Sequence, residues 1–157
     1  MYTPLDCEMN EELIATCGMN CGICSRYLAL QNKVRDKGIR IAYCTGCRSR
    51  KRQCAYIVRD CQLLRNRRVQ YCYECADFPC HRPGKLDKRY RTNFRMSMIE
   101  NLRYIKENGT RQFLVREKKK WQCPEYGDII CCHNGICFNC GLTLLENKKN
   151  LYRWQDD

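Results

Sequence analysis

The chain has 157 residues, 16 of which are cysteine, and a formal net charge of +12 at pH 7. A cysteine content of about a tenth indicates either a disulfide scaffold or a metal scaffold. No run approaches the roughly 18 apolar residues of a membrane-spanning helix, and the first residues lack the basic start and apolar core of a signal peptide. We therefore expect a cytoplasmic protein without a membrane partner, in which thiols stay reduced and bind metal.

The first half of the chain predicts short elements between cysteine-rich turns. A short strand is expected at residues 13–16. Apolar residues then recur at helical spacing from Gly22 to Gly38, where the glycine suits the left-handed residue that ends a helix. A second helix is predicted over residues 53–66.

The second half predicts one long helix and a small ribbon. Helical spacing of apolar residues continues from about Lys85 to Glu107, and Gly109 ends this helix. A shorter helix continues to Lys120, and residues 121–145 are predicted to form a β-ribbon built around cysteines. The apolar stripe of the long helix consists of Leu86, Tyr90, Phe94, Met98, Leu102 and Ile105.

These elements predict an α+β fold in three parts. We expect a cysteine-rich metal-binding domain at 13–82, a basic helical segment at 83–120 and a zinc-ribbon-like tail at 121–145. Because each structural zinc contributes roughly 10 kcal/mol or more to folding, a small apolar core is sufficient.

The clearest motif is a pair of Cys-x-x-Cys turns in the first third of the chain, Cys21–Cys24 and Cys44–Cys47. Each turn delivers two thiolates, and two such turns supply the four soft ligands that Zn²⁺ binds at tetrahedral corners. These four cysteines are the predicted first site. Cys17 lies close enough in sequence to displace one of them.

A second site is predicted from five further cysteines, which leave one to spare for four ligand positions. Cys80 follows a proline, so the other four are favoured. The five candidates are Cys54, Cys61, Cys72, Cys75 and Cys80.

The order of these motifs resembles an uncharacterised cysteine-rich family, domain of unknown function three-seven-nine-five. The resemblance covers about residues 13–145, and its second half is similar to longer members that end in a zinc-ribbon-like tail. That family has no established activity, so the resemblance implies metal binding and leaves the function open. The motifs that carry it are Cys17-Gly-Met-Asn-Cys-Gly-Ile-Cys24, Cys44-x-x-Cys-Arg48, Val58-Arg-Asp-Cys61, Tyr71-Cys-x-x-Cys75, Phe78-Pro-Cys80 and Leu86-Asp-Lys-Arg-Tyr-Arg91.

The tail departs from the pattern at one position. Such ribbons begin Cys-Pro-x-Cys-Gly, whereas this chain reads Cys123-Pro-Glu-Tyr126-Gly. A third site would therefore combine three cysteines with one replacement ligand. The three are Cys123, Cys137 and Cys140, and the replacement is Cys131, Cys132 or His133.

Zinc at about three sites is the predicted cofactor, and a [4Fe–4S] cluster is the alternative, because four thiolates suit both. The spacing of Cys17, Cys21 and Cys24 also matches radical S-adenosylmethionine enzymes. Their partial barrel of about 200 residues does not fit this chain.

Cations interleaved with aromatic residues predict the partner. Arginine pairs with phosphate and aromatic rings stack on bases, which is the composition of RNA-binding surfaces, although a solvated basic face has the same composition. The predicted nucleic-acid contacts are Arg89, Arg91, Arg95 and Arg103.

No catalytic constellation, phosphate loop or small-molecule site is evident in the sequence. We therefore expect a non-enzymatic multi-metal protein that docks on RNA, such as the ribosome, or on an acidic protein. The alternative is an iron–sulfur redox or electron-transfer protein.

Overall fold

The computed structural model describes residues 9–50, 57–94 and 96–139. Six α-helices occur in these ranges, together with short 3-10 turns, and none of the helices is long and apolar enough to cross a membrane. The α-helices are α1 (Ser25–Gln31), α2 (Cys47–Arg50), α3 (Ile57–Asp60), α4 (Gln62–Arg65), α5 (His81–Phe94) and α6 (Met98–Lys120). The 3-10 turns are Glu11–Leu13, Cys21–Ile23, Val34–Lys37 and Cys72–Glu74.

The predicted α+β fold is wrong. In the described ranges no strand forms, and the predicted strand at 13–16 is replaced by a 3-10 turn and one bridge. In its described part, residues 121–139, the tail does not form a ladder because its donors close tight turns: the Gly127 N–H donates to Cys123 O and the Gly135 N–H to Cys131 O, both at 2.8 Å. Residues 140–145 of the predicted ribbon lie outside the described ranges. Within the described ranges, pairing is limited to the isolated bridges Ile14–Asn20, Gln122–Ile129 and Ile130–Cys137.

Both short helices predicted in the first half are divided at a cysteine. Cys24 (φ −77°, ψ 138°) and Cys61 (φ −113°, ψ 114°) have extended backbones and stand immediately before α1 and α4. Gly38 has the left-handed φ of 81° expected at the end of a helix, here the 3-10 turn Val34–Lys37. Each of these two cysteines therefore separates two short helical segments.

The long predicted helix is two helices, α5 (His81–Phe94) and α6 (Met98–Lys120). Ser97 begins α6, and its hydroxyl accepts the Glu100 N–H at 3.0 Å. The Ser-x-x-Glu pattern of a capping box was present in the sequence and indicates this helix start. Gly109, predicted to end a helix, instead produces a kink inside α6 (φ 86°, ψ 165°).

A polar network fixes the junction between α5 and α6. Arg91 Nε donates to Asp87 Oδ2 at 2.7 Å, and its Nη2 donates to Glu100 Oε1 at 3.0 Å. The buried Asp87 also accepts from the Ser97 hydroxyl and from the Ile99 N–H. The two helices are therefore held at a defined angle by charge-assisted hydrogen bonds.

Helix α6 packs against the N-terminal segment that carries the first cysteines. Asn101 Nδ2 donates to Gly18 O at 3.0 Å, and Asn20 Nδ2 donates to Glu117 Oε2 at 3.4 Å. The largest fully buried apolar side chains come from both partners, so one core joins them. They include Ile14, Ile23, Met98, Leu102, Ile105 and Phe113.

The buried carboxyl of Glu117 predicts a pH-dependent stability. Burial raises its pKa above the ordinary 4.5, so the folded protein holds a proton that the unfolded chain releases. The free energy of unfolding therefore loses this contribution as pH rises from about 4.5 through the higher folded pKa. We expect Glu117→Gln to raise the thermal midpoint at pH 8 by more than at pH 5.

Glu107→Gln is the matched control, because Glu107 is exposed on the same helix. Its thermal midpoint should follow that of the wild type at both pH values. A Glu117→Gln protein that is less stable than the wild type at pH 8 would show instead that Arg116, 3.8 Å from the carboxylate, needs the charge.

Candidate metal centre

Local hydrogen bonds hold the first Cys-x-x-Cys turn, Cys21–Cys24, in its conformation. The Gly22 N–H donates to Asn20 Oδ1 at 2.9 Å, and the Cys24 N–H donates to Cys21 O at 3.0 Å. Asn20, which we missed in the sequence, is fully buried at this position. Its signal is the preference of Asn for the residue before a helical turn.

The second turn lies against the first. The Cys44 N–H donates to Arg26 O at 3.2 Å, which fixes the turn beside α1. The Gly46 N–H donates to Cys44 Sγ and the Cys47 N–H to Cys21 Sγ, both at 3.4 Å. The second of these bonds crosses from one turn to the other.

The thiols of the predicted first site lie close enough together to shift the pKa of Cys21 and of Cys24. The pKa of Cys21 is raised by its hydrogen bond with Cys47 and then by burial. Burial likewise raises the pKa of Cys24, and the thiolates of Cys44 and Cys47 add to the effect. Such thiols ionise readily only when a cation offsets the charge.

Cys17 lies between the two predicted sites. It lines the same cavity as the four cysteines of the first site. Burial raises its pKa to about 12, and Cys47 contributes to that rise. Cys17 in turn raises the pKa of Cys72, so its thiol is within electrostatic reach of both sets.

The second site gathers four cysteines around a small cavity of about 20 Å³. The Cys75 N–H donates to Cys72 O at 3.2 Å, closing the same kind of turn as at Cys21. Burial raises the pKa of Cys72 to about 12, with further rises from its neighbours. Cys80, not favoured in the sequence, lines this cavity, and Cys54 lies outside the described residues. The lining cysteines are Cys61, Cys72, Cys75 and Cys80.

These two cysteine sets lie in the part of the chain that matches a known family. Residues 13–85 match the family described as "Protein of unknown function (DUF3795)". The resemblance seen in the motifs is thereby confirmed for this segment, and the likeness of 86–145 to longer members stays a prediction. No curated protein and no solved structure matches the chain.

Outside the DUF3795 segment, the tail places two cysteines near the first set. The Cys132 N–H donates to Ile23 O at 2.9 Å, and both Cys131 and Cys132 are fully buried. Burial raises the pKa of each, and the Cys24 thiolate adds to both shifts. Cys123 and Cys137 are also buried, whereas Cys140 lies outside the described residues.

His133, the other proposed replacement ligand, has both ring nitrogens engaged. The Ser25 N–H donates to Nδ1 at 3.2 Å, and Nε2 lies 3.0 Å from the Tyr90 hydroxyl. Burial lowers the pKa of His133 to about 4, helped by Arg89 and Arg26. The ring is therefore neutral at pH 7 and would have to give up a hydrogen bond to bind a metal.

Across residues 9–50, 57–94 and 96–139, no group of three or more His, Cys, Asp or Glu side chains is arranged to hold a metal ion directly. The thiols of each set line one cavity, but they would have to move closer together to bind a single ion. Their chemistry still fits a soft cation, since each set offers four or more thiols on tight turns.

The predicted nucleic-acid contacts are dispersed over the fold. Arg89 is exposed on α5 and Arg103 is exposed on α6. Arg91 is bonded to Asp87 and Glu100, and Arg95 lies outside the described residues. Docking on RNA or on an acidic protein stays a prediction.

Proposed function

We propose that this protein is a multi-metal protein in which thiolates hold one zinc ion at each of two centres in the DUF3795 segment. The observation that carries the proposal is the hydrogen bond from the Cys47 N–H to Cys21 Sγ, which joins two Cys-x-x-Cys turns distant in sequence. Four thiols from two such turns are the donor set of a closed, structural zinc site.

The two centres differ in the space beside their thiols. The second set lines a cavity of about 20 Å³, which suits a single ion. The first set lines a larger cavity of about 340 Å³ and includes a fifth thiol, that of Cys17. This larger space favours the second candidate at that centre, an iron–sulfur cluster with an electron-transfer role.

The exposed cations of α5 and α6 support the proposal that the metal-bound protein docks on RNA. Lys88, Arg89 and Arg103 are exposed, and Arg111 follows the kink on α6. Metal would then have a structural role, because it holds the turns that position α5.

Metal analysis of protein purified without oxygen tests the proposal. We expect at least two zinc equivalents per chain and a colourless solution, because Zn²⁺ has a filled d shell. Iron with sulfide and broad visible absorption would assign the first centre to a cluster instead. Protein that is folded yet contains neither metal would contradict a metal-binding function altogether.

A further inference from the structure

The cavity beside the first cysteine set is also lined by residues that the metal proposal does not use. Its volume is about 340 Å³, near the lower end of ligand pockets. Leu86, Tyr90 and Phe94 of α5 line it, three members of the apolar stripe predicted from the sequence. Phe94 and Tyr90 pack edge-on against the His133 ring, with centroids 4.9 Å and 5.8 Å apart.

The hydrogen bonds of His133 determine what Tyr90 can do. Since Nδ1 accepts the Ser25 N–H, the ring hydrogen is on Nε2. Nε2 must then donate to the Tyr90 oxygen, 3.0 Å away. The Tyr90 hydroxyl keeps its own hydrogen as a donor, and this residue lines the cavity.

Two guanidinium groups belong to the lining of this cavity. Arg26 and Arg89 both line it and are both exposed, so they stand towards the solvent. Partly buried aromatic side chains, Tyr27 and Phe94 among them, also line it. Exposed cations, a tyrosine hydroxyl and aromatic side chains in one lining together select a particular kind of molecule.

We propose that this cavity binds a small organic anion, a carboxylate on a planar apolar body, with Arg89 and Tyr90 contacting the carboxylate. Arginine recognises a planar carboxylate through paired N–H donors, and the Tyr90 hydroxyl adds a third. These contacts differ in chemistry from the thiols that line the same cavity.

Calorimetric titration of the purified, metal-containing protein with benzoate tests this site. Benzamide is the neutral control of the same shape, and inorganic phosphate is an anion without an apolar body. We expect saturable binding of benzoate, and weaker binding of both other probes. Equal binding of benzoate and benzamide, or of benzoate and phosphate, would overturn the proposal, as would no binding of benzoate.

Two variants test the assigned contacts. Tyr90→Phe and Arg89→Gln should each weaken benzoate binding about tenfold, the usual effect of losing one charge-assisted hydrogen bond. Arg103→Gln is the matched control, because Arg103 is exposed on α6 away from the cavity lining. Arg89 is exposed, so its variant will fold even if Tyr90→Phe does not.

The metal content of each variant separates this proposal from the metal-binding function. If Arg89 only balances thiolate charge, Arg89→Gln will alter metal retention and leave benzoate affinity unchanged, which overturns the ligand site. If an iron–sulfur cluster fills the cavity, iron-loaded protein will bind no benzoate. That result overturns the ligand site and leaves thiolate metal binding intact.

Discussion

Replacing Cys47 by serine is expected to remove one metal equivalent and to abolish the cooperative unfolding of the DUF3795 segment. The Cys47 backbone N–H donates to Cys21 Sγ and so places the Cys47 thiol, which the variant removes, beside the first turn; that thiol raises the pKa of Cys21. Structural zinc contributes about 10 kcal/mol or more, which is comparable to the whole stability of a small domain. The measurements are metal content by elemental analysis and thermal unfolding followed by circular dichroism.

Cys75→Ser is the matched control in the second centre. The Cys75 N–H donates to Cys72 O, just as the Cys24 N–H donates to Cys21 O in the first centre, and Cys75 lines the second cavity. It should remove a different metal equivalent, and the double variant should lose both. A Cys47→Ser protein with full metal content and an unchanged midpoint would mean that Cys17 supplies a ligand in its place. The Cys17→Ser, Cys47→Ser double variant would then lose the metal.

The turns of both centres could be predicted from sequence because they are local. A Cys-x-x-Cys turn closes within four residues, and Gly38 and Gly109 mark left-handed positions that only nearby sterics determine. The division of the long helix was also local, in the Ser97–Glu100 cap, but the continuing apolar stripe outweighed that signal. The β-ribbon was wrong because its alternation spans too few residues between turns to form a ladder.

The features that the sequence did not predict depend on contacts between segments distant in the chain. Tyr90 and His133 are 43 residues apart, and the Ser25 N–H that fixes the ring is 108 residues from it. Cys131 and Cys132 come near Cys24 only because the tail folds back onto Ile23. A tyrosine within an apolar stripe was the available signal for the cavity, since its polar tip needs a partner when buried.

Gly18→Ala is expected to destabilise the protein by about 3 kcal/mol, because two separate costs combine at this residue. Its backbone has a left-handed φ of 89°, which an L side chain adopts only with strain. A Cβ there would also lie 2.7 Å from Met98 O and 2.9 Å from Leu102 Cγ, at the tight contact between the Cys17 segment and α6. Either that contact opens or α6 moves.

Gly38→Ala measures the cost of backbone strain without the cost of a steric clash. Gly38 has a similar left-handed φ of 81°, but a Cβ there would meet no atom within 4 Å, so only the backbone strain of about 1 kcal/mol remains. Chemical denaturation of both variants, at constant metal content, measures the difference. Because Asn101 Nδ2 bonds Gly18 O, we also expect Gly18→Ala to displace Cys17 from between the two centres. Equal destabilisation by the two substitutions would mean that α6 does not press on Gly18, and that Cys17 is positioned by its own turn alone.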